Sequence, residues 1–240
     1  MEHLETEIVF AKMDDKLLDI DFSESLDDTK LHRYLVLFYR EDGQEDTWCG
    51  SGVIVGHYLI TVAHVMRDKE TKDPIPYLYY KYDGQFYRVD SADIIYDGRE
   101  RLDDEDSHIH DDLLIFRLSD ISSPFVLNDA DFETPKIVYT RYVNESNRWV
   151  GTDYNIKIQT GFKDDYYFLE GRKPFLWENC LLTTGDYIPG NSGTPIFCKK
   201  TIYGILIGGT HHHDYPHTAL YNFIDARYIS KMIAEVEKKS

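Results

Sequence analysis

The chain has 240 residues, with 43 Asp and Glu against 26 Lys and Arg, a formal net charge of −17 at pH 7. That balance argues against phosphate backbones and anionic membrane surfaces as partners, so neither nucleic acid nor a membrane is expected. Apolar residues make up 42%, with 19 Tyr and 12 Phe, a globular composition long enough for one large domain or two small packed ones.

Residues 1–30 are rich in Asp and Glu with a few apolar islands and read as an acidic N-terminal extension. The start, MEHLETEIVFAKMDDKLLDIDF, has no basic stretch followed by an apolar one, so no secretory leader is expected. No apolar run approaches a membrane span. From Leu31 the text changes to short β-type runs separated by turn signals. LHRYLVLFYR ends at Glu41-Asp42-Gly43, and WCGSGVIV and HYLITVAHV are separated by Gly56. PYLYYKY and QFYRVD flank Asp83-Gly84, the strongest hairpin signal in the chain. An acidic loop over 97–112 leads into DLLIFRL, and later strands are KIVYTRY, YNIKIQTGF, YYFLEGR, NCLLTT, TPIFC and TIYGILIGG. His211, His212, His213 and His217 read as loop residues. Adjacent histidines imply no tetrahedral ligand set, so no metal and no cofactor is expected. Near the C-terminus Asp225 is placed to cap a helix in which Tyr228, Ile229, Met232, Ile233 and Val236 share one face. Many short strands without interleaved helices predict an all-β sandwich or barrels, followed by one terminal helix.

The most informative segment is GDYIPGNSGTPIF, residues 185–197. Ser192, held between Gly190-Asn191 and Gly193, sits on a tight turn whose backbone can approach a ligand closely. Such a turn suits an exposed hydroxyl nucleophile with N–H groups aimed at a developing oxyanion. Turns also use Gly, Asn and Ser routinely, so the motif alone decides nothing. A serine nucleophile needs a base, and the base needs an orienting carboxylate. His64 at the end of one apolar strand and Asp112 at the start of another supply both types, in the order His, Asp, Ser.

With these residues together, the chain resembles the chymotrypsin/trypsin-like serine proteases. TVAHV resembles the family's histidine segment, DLLIFRL its aspartate strand, and GNSGTPIF its serine turn, and the resemblance extends over about residues 31–240. It implies two six-stranded antiparallel β-barrels with a C-terminal helix. Residues 31–125 would carry His64 and Asp112, and 126–240 would carry Ser192. It further implies that Ser192 attacks the scissile carbonyl of a protein or peptide and that His64 takes its proton. Asp112 would orient the imidazole, and the N–H groups of Gly190 and Ser192 would form the oxyanion hole. Gly208 and Gly209 would leave the cleft wall open, and Asp186, six residues before the serine, would stand at the base of a pocket for a basic side chain. Glutamyl endopeptidases and picornavirus-type proteases place a histidine where Leu206 stands here, so that device is missing.

Departures from the secreted members are informative. Val65 replaces the cysteine that follows their histidine, leaving Cys49 without its mate, and Cys198 likewise has no evident partner. Three cysteines, an odd number, do not make a disulfide framework and suit a reducing compartment. Asn191 stands where zymogen-type members have an Asp that pairs with a newly cut N-terminus, so activation of that kind is not expected. The wording of the serine turn is closer to glutamyl endopeptidases, HtrA-type proteases and the proteases of astroviruses and sobemoviruses. This implies a polyprotein-processing or intracellular protease in the cytoplasm of a bacterium or an infected host cell. The rival expectation is a catalytically silent barrel protein that binds peptides. Oligomeric state is not legible.

Overall fold

The chain's structure, a computed structural model, describes residues 29–102, 108–133, 136–143, 149–150, 155–160, 166–167, 180–184, 187–212 and 219–239. Period-two strands build a first antiparallel sheet from β1 (Leu35–Tyr39), β2 (Trp48–Val55), β3 (Tyr58–Thr61), β4 (Tyr77–Tyr82), β5 (Gln85–Asp90), β6 (Ile94–Asp97) and β7 (Leu114–Arg117). Its hydrogen-bonded order is β5-β4-β1-β2-β3-β7-β6. The two strands at its ends are consecutive in sequence, so the sheet must curl until both edges lie a few residues apart. Between them Ser91–Asp93 form a single 3-10 turn, closed by reciprocal bonds between the side chains and backbones of Asp90 and Asp93. Six strands are expected here and seven are found: QFYRVD is β5 as predicted, and β6 lies in a stretch where no strand is expected from sequence. The β4–β5 hairpin turns at Asp83-Gly84 as the sequence predicts, with φ of 49° and 80°, the left-handed pair that a two-residue hairpin requires.

The second sheet contains β8 (Val126–Leu127), β9 (Lys136–Thr140), β12 (Asn155–Thr160), β13 (Tyr166–Tyr167), β14 (Cys180–Thr184), β15 (Pro195–Cys198), β16 (Thr201–His212) and β17 (Ala219–Asp225). Six of these close a ring: β9 pairs with β12, β12 with β14, β14 with β17, β17 with β16, β16 with β15, and β15 with β9. That ring matches the expected six-stranded barrel. The short β8 and β13 are additions to β16, and β8 runs parallel to it. A separate pair, β10 (Tyr142–Val143) and β11 (Trp149–Val150), stands beside the barrel sheets. The sequence reading ends its strands at Gly209, and the structure corrects this. β16 continues through His211 and His212, which therefore lie in a strand and not in a loop, and β17 returns alongside it.

Helix α1 (Ala226–Glu237) follows directly. The Asp225 carboxylate accepts the N–H of Arg227 at 2.9 Å, the predicted cap. Tyr228, Ile229 and Met232 are buried on its predicted face. They join a core that also takes Ile60, Leu114 and Phe116 from the first sheet and Phe197, Ile205 and Ile224 from the second. One apolar core thus fastens both sheets and the helix together, while Val138, Leu181, Ile196 and Phe223 fill the second barrel. Among the described residues no helix is long and apolar enough to cross a membrane.

Candidate active site

The antiparallel register of β3 and β7 sets Thr61 opposite Leu114, so the residues just beyond each strand end meet. There His64 lies in a 3-10 turn, Ala63–Met66, and Asp112 precedes β7. The Ala63 N–H donates to the Asp112 carbonyl at 3.3 Å. The His64 backbone N–H donates to Asp112 Oδ1 at 2.9 Å, and His64 Nδ1 lies 2.6 Å from Oδ2. Both carboxylate oxygens therefore hold one residue, which fixes the plane of the imidazole and assigns its proton to Nδ1. The His64 side chain is 42% exposed and that of Asp112 11%. The ring faces solvent and its partner does not. Asp111, the neighbouring alternative, points elsewhere: its carboxylate accepts the His108 N–H at 2.9 Å and lies 2.9 Å from Arg101 Nη1.

Ser192 is built from the other sheet, on the turn between the Tyr187 segment and β15. Gly190 and Gly193 have φ of +98° and +92°, left-handed conformations that side chains resist. They are also needed for space. A Cβ on Gly193 would lie 1.8 Å from the Ser51 carbonyl oxygen, and one on Gly190 would lie 2.9 Å from the Trp48 ring. The turn is latched to β2 of the first sheet. The Ser51 N–H donates to the Ser192 carbonyl at 2.8 Å, and Ser51 Oγ donates to the Gly190 carbonyl at 3.3 Å. Thr61 Oγ1 donates in turn to the Ser51 carbonyl at 2.7 Å. On its other side the turn is tied to β16 by the Gly193 N–H donating to Leu206 O at 2.7 Å. Among the described residues the N–H groups of Gly190 and Ser192 donate to nothing. Two unspent donors flanking a serine are what an anionic oxygen needs.

His64 and Asp112 are thus in direct contact, and Ser192 is held from the other barrel by strands that lead to His64. The Ser192 hydroxyl itself donates to the Ile207 carbonyl at 3.2 Å and not to His64. Gly208 and Gly209 lie on β16 opposite Asn222 and Tyr221. A Cβ at Gly208 would meet nothing within 4 Å, so open space and not packing surrounds that position. Asp186, and with it the expected pocket base, lies outside the described residues, as do His213 and His217.

Ser51, Thr61 and Trp48 were not singled out from sequence. Their only signal is the serine between two glycines in WCGSG, read there as an ordinary strand. Asn191 was singled out for what it cannot do, and the structure gives it a positive role. Fully buried, it accepts the Ile188 N–H on Oδ1 at 3.0 Å and donates from Nδ2 to the Val143 carbonyl at 2.9 Å. Cys49, Cys180 and Cys198 are all free thiols, as their odd number suggested. Burial pushes the Cys49 thiol up to about 11 and that of Cys180 well above its ordinary value, which makes both poor nucleophiles. No group of three or more His, Cys, Asp or Glu placed to hold a metal occurs among the described residues.

No family model and no curated protein matches the sequence. Solved structures match the fold. The Rv3671c protease of M. tuberculosis in its active form superposes with a TM-score of 0.58 at 13% identity, over 89% of this chain and 88% of that one. Kallikrein-related peptidase 10, in a complex with Zn2+, gives 0.54 at 17% identity over 87% and 96%. Neuropsin, a serine protease from mouse brain, gives 0.53 at 14% identity over 90% and 99%. Two antiparallel β-sheets followed by one C-terminal helix are the chymotrypsin-type fold. At such identities the likeness is one of fold, and the chemistry has to be argued from the residues.

Proposed function

We propose that this chain is a serine endopeptidase whose nucleophile is Ser192, with His64 as general base and Asp112 as its orienter. The observation that carries the reading is the double hold of Asp112 on His64, through Nδ1 and the backbone N–H together. A merely structural histidine has no use for a buried carboxylate that fixes its tautomer while its ring stays exposed. In the reaction Ser192 Oγ leaves Ile207 O, gives its proton to His64 Nε2 and adds to the scissile carbonyl. The Gly190 and Ser192 N–H groups receive the resulting oxyanion. Collapse of the tetrahedral species breaks the C–N bond, and His64 returns the proton to the departing amine. Water, deprotonated by the same imidazole, then releases the acyl group. Residues 31–125 and 126–240 act as two domains, with the substrate lying along Gly208 and Gly209. Asp186 favours a basic side chain, and the natural substrate is a polyprotein or a specific intracellular protein. The fold is shared with the Rv3671c protease and with neuropsin, a serine protease, which supports the reading.

The second reading, a silent peptide-binding barrel, rests on the Ser192 hydroxyl being spent on Ile207 O. Catalytic hydrogen bonds are commonly loose without substrate, so the first reading is preferred. A fluorophosphonate probe separates them. The parent should be labelled, and Ser192→Ala and His64→Ala should not. A parent that stays unlabelled while folded favours the silent barrel, and labelling that persists in Ser192→Ala refutes the nucleophile. A peptide library varied at the residue before the cut then tests Asp186.

A further inference from the structure

Asn191 lies between Gly190 and Ser192, whose N–H groups meet no acceptor among the described residues, and every polar part of it is used. Its own N–H donates to the Ile188 carbonyl at 3.0 Å, and its carbonyl accepts the Thr194 N–H at 2.9 Å. Its Oδ1 accepts the Ile188 N–H, so the turn is closed twice over, and its Nδ2 reaches out to the Val143 carbonyl on β10. The residue and Val143 are almost entirely removed from water, at 0% and 1% exposure. Neutrality matters here. An amide presents an acceptor on one side and a donor on the other, as this pair of partners demands. A carboxylate of the same shape would accept the Ile188 N–H but set a second anionic oxygen against the Val143 carbonyl with no proton between them.

We propose that Asn191 is a positioning residue that assembles the oxyanion hole by two neutral hydrogen bonds. The Gly190 and Ser192 N–H groups then converge once the chain folds, without an ion pair and without a proton-dependent step. This rests on the endopeptidase reading and adds how its site is held ready. Among the described residues, the side chains seen against this turn are neutral rings. Tyr187 on the same turn packs tilted against Tyr142 of β10 and edge-on against Tyr221 of β17. Burial pushes the Tyr187 phenol far upward, so it stays neutral. The Trp48 ring lies across Gly190, and Arg141 lies two residues before Val143.

The test is the isosteric Asn191→Asp protein, with Asn191→Ala beside it, assayed from about pH 5 to 8.5. The quantity to measure is the rate of Ser192 acylation by a fluorophosphonate, divided by the parent's rate at the same pH so that every pH effect the two proteins share cancels. Protonated, the acid donates to Val143 O and restores the bridge, and burial raises the pH at which it ionises. At pH 8.5 the Asn191→Asp rate should therefore be about 10²- to 10³-fold below the parent, the usual loss when an oxyanion donor is misplaced. The ratio should recover at least about tenfold by pH 5. Asn191→Ala should be low throughout with a flat ratio, since it has no proton to regain. A flat ratio for Asn191→Asp, or a ratio near one at pH 8.5, overturns the proposal. Failure of Asn191→Asp to fold even at pH 5 overturns it too, because the protonated acid satisfies both partners. If the parent itself does not acylate, the endopeptidase reading fails and not this one. Thermal melts then decide the bridge, with Asn191→Asp expected to approach the parent's midpoint as pH falls.

Discussion

Substituting Gly193 by Ala tests whether the serine turn and the latch from β2 form one mechanical unit. The new Cβ would start 1.8 Å from the Ser51 carbonyl oxygen and 2.6 Å from Thr61 Oγ1, where ordinary contact begins at 3.4 Å. The Ser51 carbonyl cannot swing aside freely, because it accepts from Thr61 Oγ1 and sits in β2. The left-handed φ alone costs about 1–2 kcal/mol, and forcing atoms into a packed site adds about 1–3. The expected loss is therefore about 2–5 kcal/mol, a drop in Tm of about 2–4 °C for each kcal/mol in a chain of this size. Gly43→Ala is the internal control. Its φ is +69° and nothing lies within 4 Å of its would-be Cβ, so it should lose only the conformational part. Relief of the clash needs a shift of more than 1 Å in the turn, so acylation of Ser192 should also fall about 10²-fold, while Gly43→Ala stays near the parent. Urea melts and fluorophosphonate kinetics on the two variants give both numbers. Equal stability losses at Gly193 and Gly43, with equal acylation, would refute the close approach of the serine turn to β2.

Asp112→Asn should leave the melt nearly unchanged and slow acylation by about four orders of magnitude, because the amide no longer fixes the His64 tautomer or stabilises the imidazolium. A pre-steady-state labelling assay checks this, and an undiminished rate would make Asp112 structural only. For Cys49, a thiol pushed up to about 11 by burial is almost wholly protonated at pH 8. Alkylation of the native protein there should run about two orders of magnitude slower than for a free cysteine of ordinary pKa and rise about tenfold per pH unit towards 11. In urea all three cysteines should react, and mass spectrometry that finds fewer than three free thiols contradicts the unpaired state. Asp225→Ala removes the N-cap of α1 and one of the two carboxylates on the Arg227 side chain, and should cost about 1–2 kcal/mol in a denaturant titration. A loss below a few tenths would mean the helix is fixed by its apolar face alone.

Legibility from the sequence followed the range of the interactions. The Asp83-Gly84 turn, the Asp225 cap and the apolar face of α1 were read correctly because each depends on residues within a few positions of one another. The strand β6 was not, since IIYD is four residues long and only its pairing with β7 marks it as a strand. Nor was β17, which ALYNFID carries without alternation clear enough to mark it. Only the pairing partners β14 and β16 on either side make it the strand that closes the second barrel.

The same distinction runs through the site. Residue types and order suffice to name His64, Asp112 and Ser192, and glycines around a serine suffice to predict a tight turn. Those are local facts of chemistry and conformation. The sequence does not contain the hold of Asp112 on the backbone N–H and the Nδ1 of His64, which follows from the β3–β7 register. It does not contain the grip of Ser51 on Gly190, 139 residues away, or the bridge from Asn191 to Val143. Such bonds exist only once two barrels have closed and packed on one core, because no stretch of chain brings those atoms together by itself. The sequence by itself determined which groups could do the chemistry, and the tertiary structure decided which atoms they hold.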